Sequence, residues 1–325
     1  MVKLANTETA AQKKATRAAY GATLAELATE GVPVVAVDAD LTGSTTTKKL
    51  ADAGYAGRLF NCGIAEQNMI DVAAGLSLAG NIAFTGSFAV FGTGRAYDQI
   101  RNTVCYSNLN VKIAPTHAGI SVGPDGGSHQ MLEDVSLMRG LPNMRVLVPA
   151  DYAAARAAIK LAAKTPGPVY VRMGRAAVPC VYDDDVELEI GRAYVLREGS
   201  DVTIVANGVE IREALAAADA LAADGISAEV IDAFSVKPLD GATILESVAK
   251  TRCVVTAEEH SVIGGLGSAV CELLAGADPV CVECVAVRDR FGKSGEFEEL
   301  LGYFNIDATA IVEAVKKVRE RAGLC

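Results

Sequence analysis

The sequence predicts an α/β protein built from two doubly wound, parallel-sheet domains. Three observations predict it. Half of the 325 residues are hydrophobic but only 5% are aromatic, so the core is made of Ala, Val, Ile and Leu, which suits closely packed helix and sheet layers. Short, unbroken apolar runs recur along the chain, as strands covered on both faces require. Between them lie segments of helical period, so strand and helix alternate in the pattern of right-handed crossovers.

Residues 8–30 carry helical spacing at Ala18, Leu24 and Leu27, and Gly31 is a stop signal. Residues 33–37 read as a buried strand running into Asp38-Ala39-Asp40-Leu41-Thr42-Gly43-Ser44. Polar and small residues after such a strand are where α/β sheets place ligand contacts. A short extended segment ending at Phe60 leads through Asn61 and Gly63 into a helix over 64–79. Glu66, Met69, Ile70, Ala73 and Leu76 share one face of it, and that face is apolar except for Glu66. A first-turn glutamate that only complements the helix dipole would look the same.

Further strands are expected at 81–87 and 111–116, with a helix between them carrying Tyr97, Ile100 and Val104. Phe88 and Phe91 lie three apart just past a strand, as a core pair or, in a chain so poor in aromatics, as a platform for a planar ring. Two of the three histidines, His117 and His129, bracket a loop with four glycines and Asp125. They read either as separate polar loop residues or as one pocket wall on a strand end. A helix (130–139), a strand at Val146, a helix (151–163) and a strand (169–172) follow. Residues 174–191, with Pro179 and three consecutive aspartates, read as a linker between domains 1–173 and 192–325. In the second domain, strands are expected at 202–206, 228–231, 252–256 and 280–287, and helices at 211–224, 243–250, 266–274 and 308–321.

A net charge of -10 argues against nucleic acid or an anionic membrane as partner. No apolar run reaches membrane-spanning length and residues 1–20 carry no signal-peptide core, so a cytoplasmic location is expected. Eight cysteines in a chain this long make no disulfide framework, and all are read as reduced. Cys281 and Cys284 sit three apart in a strand-like run, which points them to opposite faces. No metal-ligand spacing accompanies them or the histidines. Gly264-Gly265-Leu266-Gly267 opens a helix, but it is an incomplete phosphate-binding pattern. Glu258, Glu259 and His260 before it read as a solvated loop.

Gly63-Ile-Ala-Glu-Gln67, the Phe88 and Phe91 pair with Tyr97-Asp-Gln99, and the run from Thr116 to Gln130 together resemble the pyrimidine-binding half of transketolase. The segment from Glu258 to Ser268 resembles the same family's C-terminal domain. The resemblance implies a transferase of the pentose phosphate pathway that moves a two-carbon ketol unit with thiamine diphosphate and Mg²⁺. Residue by residue, it implies that Glu66 hydrogen-bonds the cofactor's aminopyrimidine and activates it, while Phe88 and Phe91 pack on that ring. It implies that His117, Asp125 and His129 face the sugar, that Arg17, Ser44 and Arg175 hold its phosphate, and that Asp40 contacts it nearby. Gly94 stands where the family often has a further aromatic. The family's Gly-Asp-Gly…Asn segment for diphosphate and Mg²⁺ does not occur here. The chain is therefore expected to be the C-terminal half of a split transketolase, joined in a heterotetramer to an N-terminal subunit that supplies this site. Deoxyxylulose phosphate synthase generally carries Arg where this chain has His117. The β subunit of a 2-oxo acid dehydrogenase lacks the His–Asp–His loop. A non-catalytic homologue would have no need of Glu66.

Overall fold

The computed structural model describes residues 2–324. A short strand, β1 (Lys13–Ala15), precedes the first long helix, Thr16–Thr29. Strand and helix then alternate through β2 (Val34–Asp38), β3 (Leu59–Asn61), β4 (Ile82–Gly86), β5 (Val111–Ile113), β6 (Arg145–Leu147) and β7 (Val169–Val171). The chain doubles back as β8 (Ala177–Pro179), antiparallel to β1. A second sheet begins with β9 (Tyr194–Arg197), β10 (Val202–Ala206) and β11 (Ala228–Asp232). After β12 (Ser235–Lys237) it resumes with β13 (Cys253–Ser261) and β14 (Cys281–Val287).

The first sheet has the order β12-β6-β7-β5-β4-β2-β3 and the second β14-β13-β10-β11-β9. The fold is thus the predicted α/β class, with parallel strands except at one edge of each sheet, where β12 and β9 run antiparallel. Both faces of the first sheet are covered. Val34 and Ala36 of β2 join the core under the helices Thr16–Thr29 and Tyr152–Lys164, while Val35 and Val37 join the one under Glu66–Leu78. This alternation is why β2 reads as a continuous apolar run.

Two expectations are corrected. The helix expected over 8–30 is broken in two: Thr7–Ala10 form one short turn, Lys13–Ala15 pair with β8, and the long helix begins at Thr16. The linker region contains that same strand β8. The Glu258–His260 segment is not a solvated loop. It belongs to β13 and all three side chains are buried. One strand crosses between the units: β12, although it lies beyond the linker, pairs with β6 and completes the first sheet. Lys237 of β12 donates to the Arg139 carbonyl at 2.9 Å.

Candidate active site

The carboxyl ends of β2, β3, β4 and β5 lie side by side, and each delivers part of the predicted set. At the end of β3, the Asn61 side chain accepts from the backbone N–H of Gly63 (2.9 Å) and of Asp40 (3.1 Å). Gly63 adopts φ +67°, a conformation open to glycine at little cost. This turn places Glu66 as the first residue of the helix Glu66–Leu78, only 2% exposed. Its Oε2 accepts from Arg95 Nη1 at 2.8 Å. Arg95 closes a π-helical turn, Val90–Arg95, and its guanidinium lies 4.7 Å from the centre of the Phe91 ring. Nothing in the sequence singled out Arg95, whose partner lies 29 residues away.

Beyond Phe91 the aromatic contacts continue. Phe91 and Phe88 stack at 6.1 Å with 14° between planes, and Phe88 stacks on the His117 imidazole at 3.8 Å. His129 meets Phe91 edge-on at 5.4 Å and Phe88 at 6.1 Å. The structure therefore joins Glu66, Phe91, Phe88, His117 and His129 in one chain of contacts through Arg95. His117 holds φ +60°, a costly conformation for a residue with a Cβ, and its Nδ1 is 2.7 Å from Thr116 Oγ1.

Burial, and then the positive charges of Arg17 and Arg175, push the His117 imidazole down to about 3, from an ordinary 6.5. Below pH 6.5 the unfolded chain takes up a proton here that the folded protein refuses until about pH 3. His117 therefore costs stability as pH falls through that window. Glu259, which burial raises to about 7, contributes the opposite slope: its cost grows as pH rises from 4.5 to 7. Comparison between variants separates the two. His117→Asn is expected to leave stability at pH 7 nearly unchanged in this respect, and to remove a destabilisation of about 3 kcal/mol at pH 4. Urea unfolding at both pH values checks it; an equal response of variant and wild type would refute the buried, neutral histidine.

The histidine-bearing loop is fixed from both units. The Gln130 amide donates to the carbonyls of Ile120 (3.2 Å), Gly123 (3.3 Å) and Lys293 (2.9 Å). The buried Glu259 carboxylate accepts from the Ser121 N–H. A Cβ on Gly119 would stand 2.2 Å from the Glu259 carboxyl carbon, so only glycine admits this approach. Behind Glu259, Arg172 donates to the Glu259 carbonyl (2.9 Å) and pairs with Asp134 (2.7 Å). Glu258 does what an incoming anion was considered for: it accepts from the N–H groups of Leu266 (2.7 Å) and Gly267 (2.9 Å) at the start of the helix Leu266–Ala277.

The remaining predicted residues lie around this centre. Arg17 Nη1 donates to the Ser44 carbonyl at 2.8 Å, and Arg175 Nη1 to the Val122 carbonyl at 2.6 Å. The two arginines, with Ser121, Glu296 and Phe297, line a cleft of about 220 Å³. Burial and the Arg175 charge lower the proton affinity of Arg17, as expected where two cations face one space. Asp40 is exposed at φ +65°, beside Asn61. Asp125 is exposed on the loop, and among the described residues no hydrogen bond or ion pair joins it to the rest of the set. No group of three or more His, Cys, Asp or Glu able to hold a metal occurs among the described residues. Among them, too, no helix is long and apolar enough to cross a membrane.

The family model for the transketolase pyrimidine-binding domain matches residues 12–181, and that for the transketolase C-terminal domain matches residues 191–311. A putative transketolase C-terminal section of Methanocaldococcus jannaschii is 46% identical over 306 residues, covering 93% of this chain and 95% of that protein. A 6-deoxy-6-sulfo-D-fructose transketolase subunit of Clostridium sp. is 44% identical over 305 residues, covering 94% of each. A solved structure described as a split-gene transketolase in an inactive β4 tetramer superposes with a TM-score of 0.87 at 50% identity, covering 96% of this chain and all of the other.

Proposed function

Because the chain belongs to the transketolase family, matched in both of its units, we propose that it is the C-terminal subunit of a split transketolase. In the cytoplasm it would move a two-carbon ketol unit between a ketose phosphate and an aldose phosphate. The division into a pyrimidine-binding domain (1–173), a linker (174–191) and a C-terminal domain (192–325) is part of the same reading. The observation that carries it is the chain of contacts from Glu66 through Arg95, Phe91 and Phe88 to His117. It sets a buried carboxylate and two parallel rings beside two histidines at the strand ends.

These residues fit the aminopyrimidine of thiamine diphosphate: flat apolar faces for its ring and a buried acceptor for a proton on a ring nitrogen. Thiamine diphosphate, when bound, supplies the nucleophile and electron sink for cleaving the bond beside a ketose carbonyl. The Glu66 carboxylate would accept a hydrogen bond from the ring nitrogen and hold its proton there. Phe88 and Phe91 cover the ring and keep water from it. His117, neutral through the physiological range, offers the sugar hydroxyls a hydrogen bond without a charge. His129 and Asp125 complete that wall from the same loop. Arg17, Arg175 and Ser44 hold the terminal phosphate, with Asp40 at the rim. The proposal assigns Mg²⁺ and the diphosphate to an N-terminal subunit in a heterotetramer, in keeping with the C-terminal-section and split-gene descriptions of its relatives.

The test is calorimetric titration of thiamine diphosphate with Mg²⁺ into this chain alone and into its mixture with the N-terminal subunit. Binding and ketol transfer are expected in the mixture only. Tight binding by the isolated chain would show that the diphosphate site has been assigned to the wrong subunit.

One observation favours a second reading of the substrate. Glu296 lines the same cleft as the two arginines, and a carboxylate there repels a phosphate dianion more than a sulfonate monoanion. The Clostridium relative is described by a sulfo-sugar. On this reading, Glu296→Gln raises kcat/KM for fructose 6-phosphate relative to its 6-deoxy-6-sulfo analogue; an unchanged ratio removes Glu296 from the selection.

A further inference from the structure

A second chemically distinctive place lies in the other unit, between the helix Leu266–Ala277 and the sheet edge. A Cβ on Gly267 would stand 3.0 Å from both Cys284 Sγ and Thr256 Oγ1, so the start of this helix lies directly on those two side chains. Thr256 and Cys284 are register partners on β13 and β14, and β14 is the edge strand. Cys271 follows Gly267 by four residues on the same helix, and so lies on the same face one turn along. That spacing sets Cys271 one helical turn from the residue that lies on Cys284, and each thiol shifts the proton affinity of the other.

The interaction has a direction. Interaction with Cys271 draws the Cys284 thiol below its ordinary range against the opposing effect of burial, and Cys271 is raised correspondingly. Cys271 is exposed and Cys284 half-buried, and both are free thiols. Cys281, three residues before Cys284, is instead the register partner of Cys253 and points to the opposite face. Cys284 thus lies on the face of the sheet that the helix Leu266–Ala277 covers, and Cys281 with Cys253 on the other.

We propose that Cys271 and Cys284 form a dithiol site that reacts with low-molecular-weight disulfides and closes to an intramolecular disulfide. The Cys284 thiolate attacks one sulfur of the small disulfide, forming a mixed disulfide and releasing one small thiolate. Cys271 then attacks the Cys284 sulfur, releasing the second small thiolate. The proton lost by Cys271 and one from solvent go to the two released thiolates. Two protein thiols are oxidised, and one small disulfide is reduced to two thiols. Closure ties edge strand β14 to the helix whose first turn Glu258 caps. The site does not depend on the proposed sugar chemistry.

The experiment uses the full chain with oxidised glutathione as the probe, followed by intact mass, thiol titration and peptide mapping. The expected product has lost two thiols and two hydrogen masses, retains no glutathione on either residue, carries a Cys271–Cys284 link, and reverts with dithiothreitol. Cys271→Ser is expected to leave glutathione held on Cys284. A stable glutathione adduct on wild-type Cys284, or the absence of any link between the two cysteines after thiol loss has ended, overturns the proposal. The wild-type map decides the question even if the serine variant folds poorly.

Discussion

Glu66→Gln, assayed with the N-terminal subunit and saturating thiamine diphosphate, is expected to lower kcat by about 10²–10⁴-fold, the range for loss of a positioned acid–base group. The amide keeps the shape of the side chain and can still meet the surrounding packing, but it cannot take and return a proton. The residue is 2% exposed and makes one ion pair, to an arginine that is itself 45% exposed. Breaking that pair is expected to cost no more than about 1 kcal/mol, since the arginine can turn to water. The variant should therefore fold, assemble and fail in turnover. Arg95→Met is the counterpart. If Arg95 only neutralises the carboxylate, its loss leaves kcat within about tenfold, well short of the Glu66→Gln effect. Retention of most activity by Glu66→Gln would remove the glutamate from the chemistry.

Asp134→Ala is expected to be the most damaging substitution for stability, by about 3–5 kcal/mol. Asp134 is fully buried; it accepts from Tyr170 at 2.5 Å and from Arg172 Nε at 2.7 Å. Burial pushes its carboxyl up, but the Arg172 charge and the hydrogen bonds from Arg172 and Tyr170 outweigh this and hold it below the ordinary carboxylate range. Its contribution is thus present above that range and lost as pH falls from it toward the lower value of the folded protein. Removing it leaves the Arg172 guanidinium buried, with the Glu259 carboxylate at 3.7 Å as its remaining acidic neighbour. A surface pair gives the contrast. Lys48 and Asp52 lie one helical turn apart at 2.6 Å, but both are more than half exposed, so Lys48→Ala is expected to cost less than about 0.5 kcal/mol. Urea titrations at pH 7 compare the two. Equal costs would mean that the buried network adds nothing beyond its surface counterpart.

How far the sequence could be read depended on whether an element's reason for existing was local. The helix bearing Glu66 was visible because its apolar face repeats every three to four residues, and Met69, Ile70 and Ala73 are indeed buried along it. β2 was visible because both of its faces are covered. Arg95 was not, because its two partners, Glu66 and the Phe91 ring, meet only in the folded chain. Glu258, Glu259 and His260 looked like a loop because charged residues are poor strand formers. They sit in β13 because Leu266 and Gly267 satisfy Glu258, Ser121 and Arg172 satisfy Glu259, and the Ser136 N–H meets His260, and none of those contacts is marked in the local sequence. β1 and β12 escaped for the same reason: each is three residues long and exists by pairing with a strand far along the chain.

The crossing of β12 bears on how this chain can be divided. A protease or a gene break within residues 174–191 would sever one peptide bond yet leave β12 hydrogen-bonded to β6. The nicked pieces should therefore travel together through gel filtration. Expressed separately, the first piece would present β6 as an open edge, with unpaired N–H and carbonyl groups that invite self-association. The second piece would carry a short strand with no sheet to join. In mechanical terms the two halves are buttoned rather than hinged, and a viable boundary for swapping either half between relatives must keep residues 235–237 matched to the sheet they close.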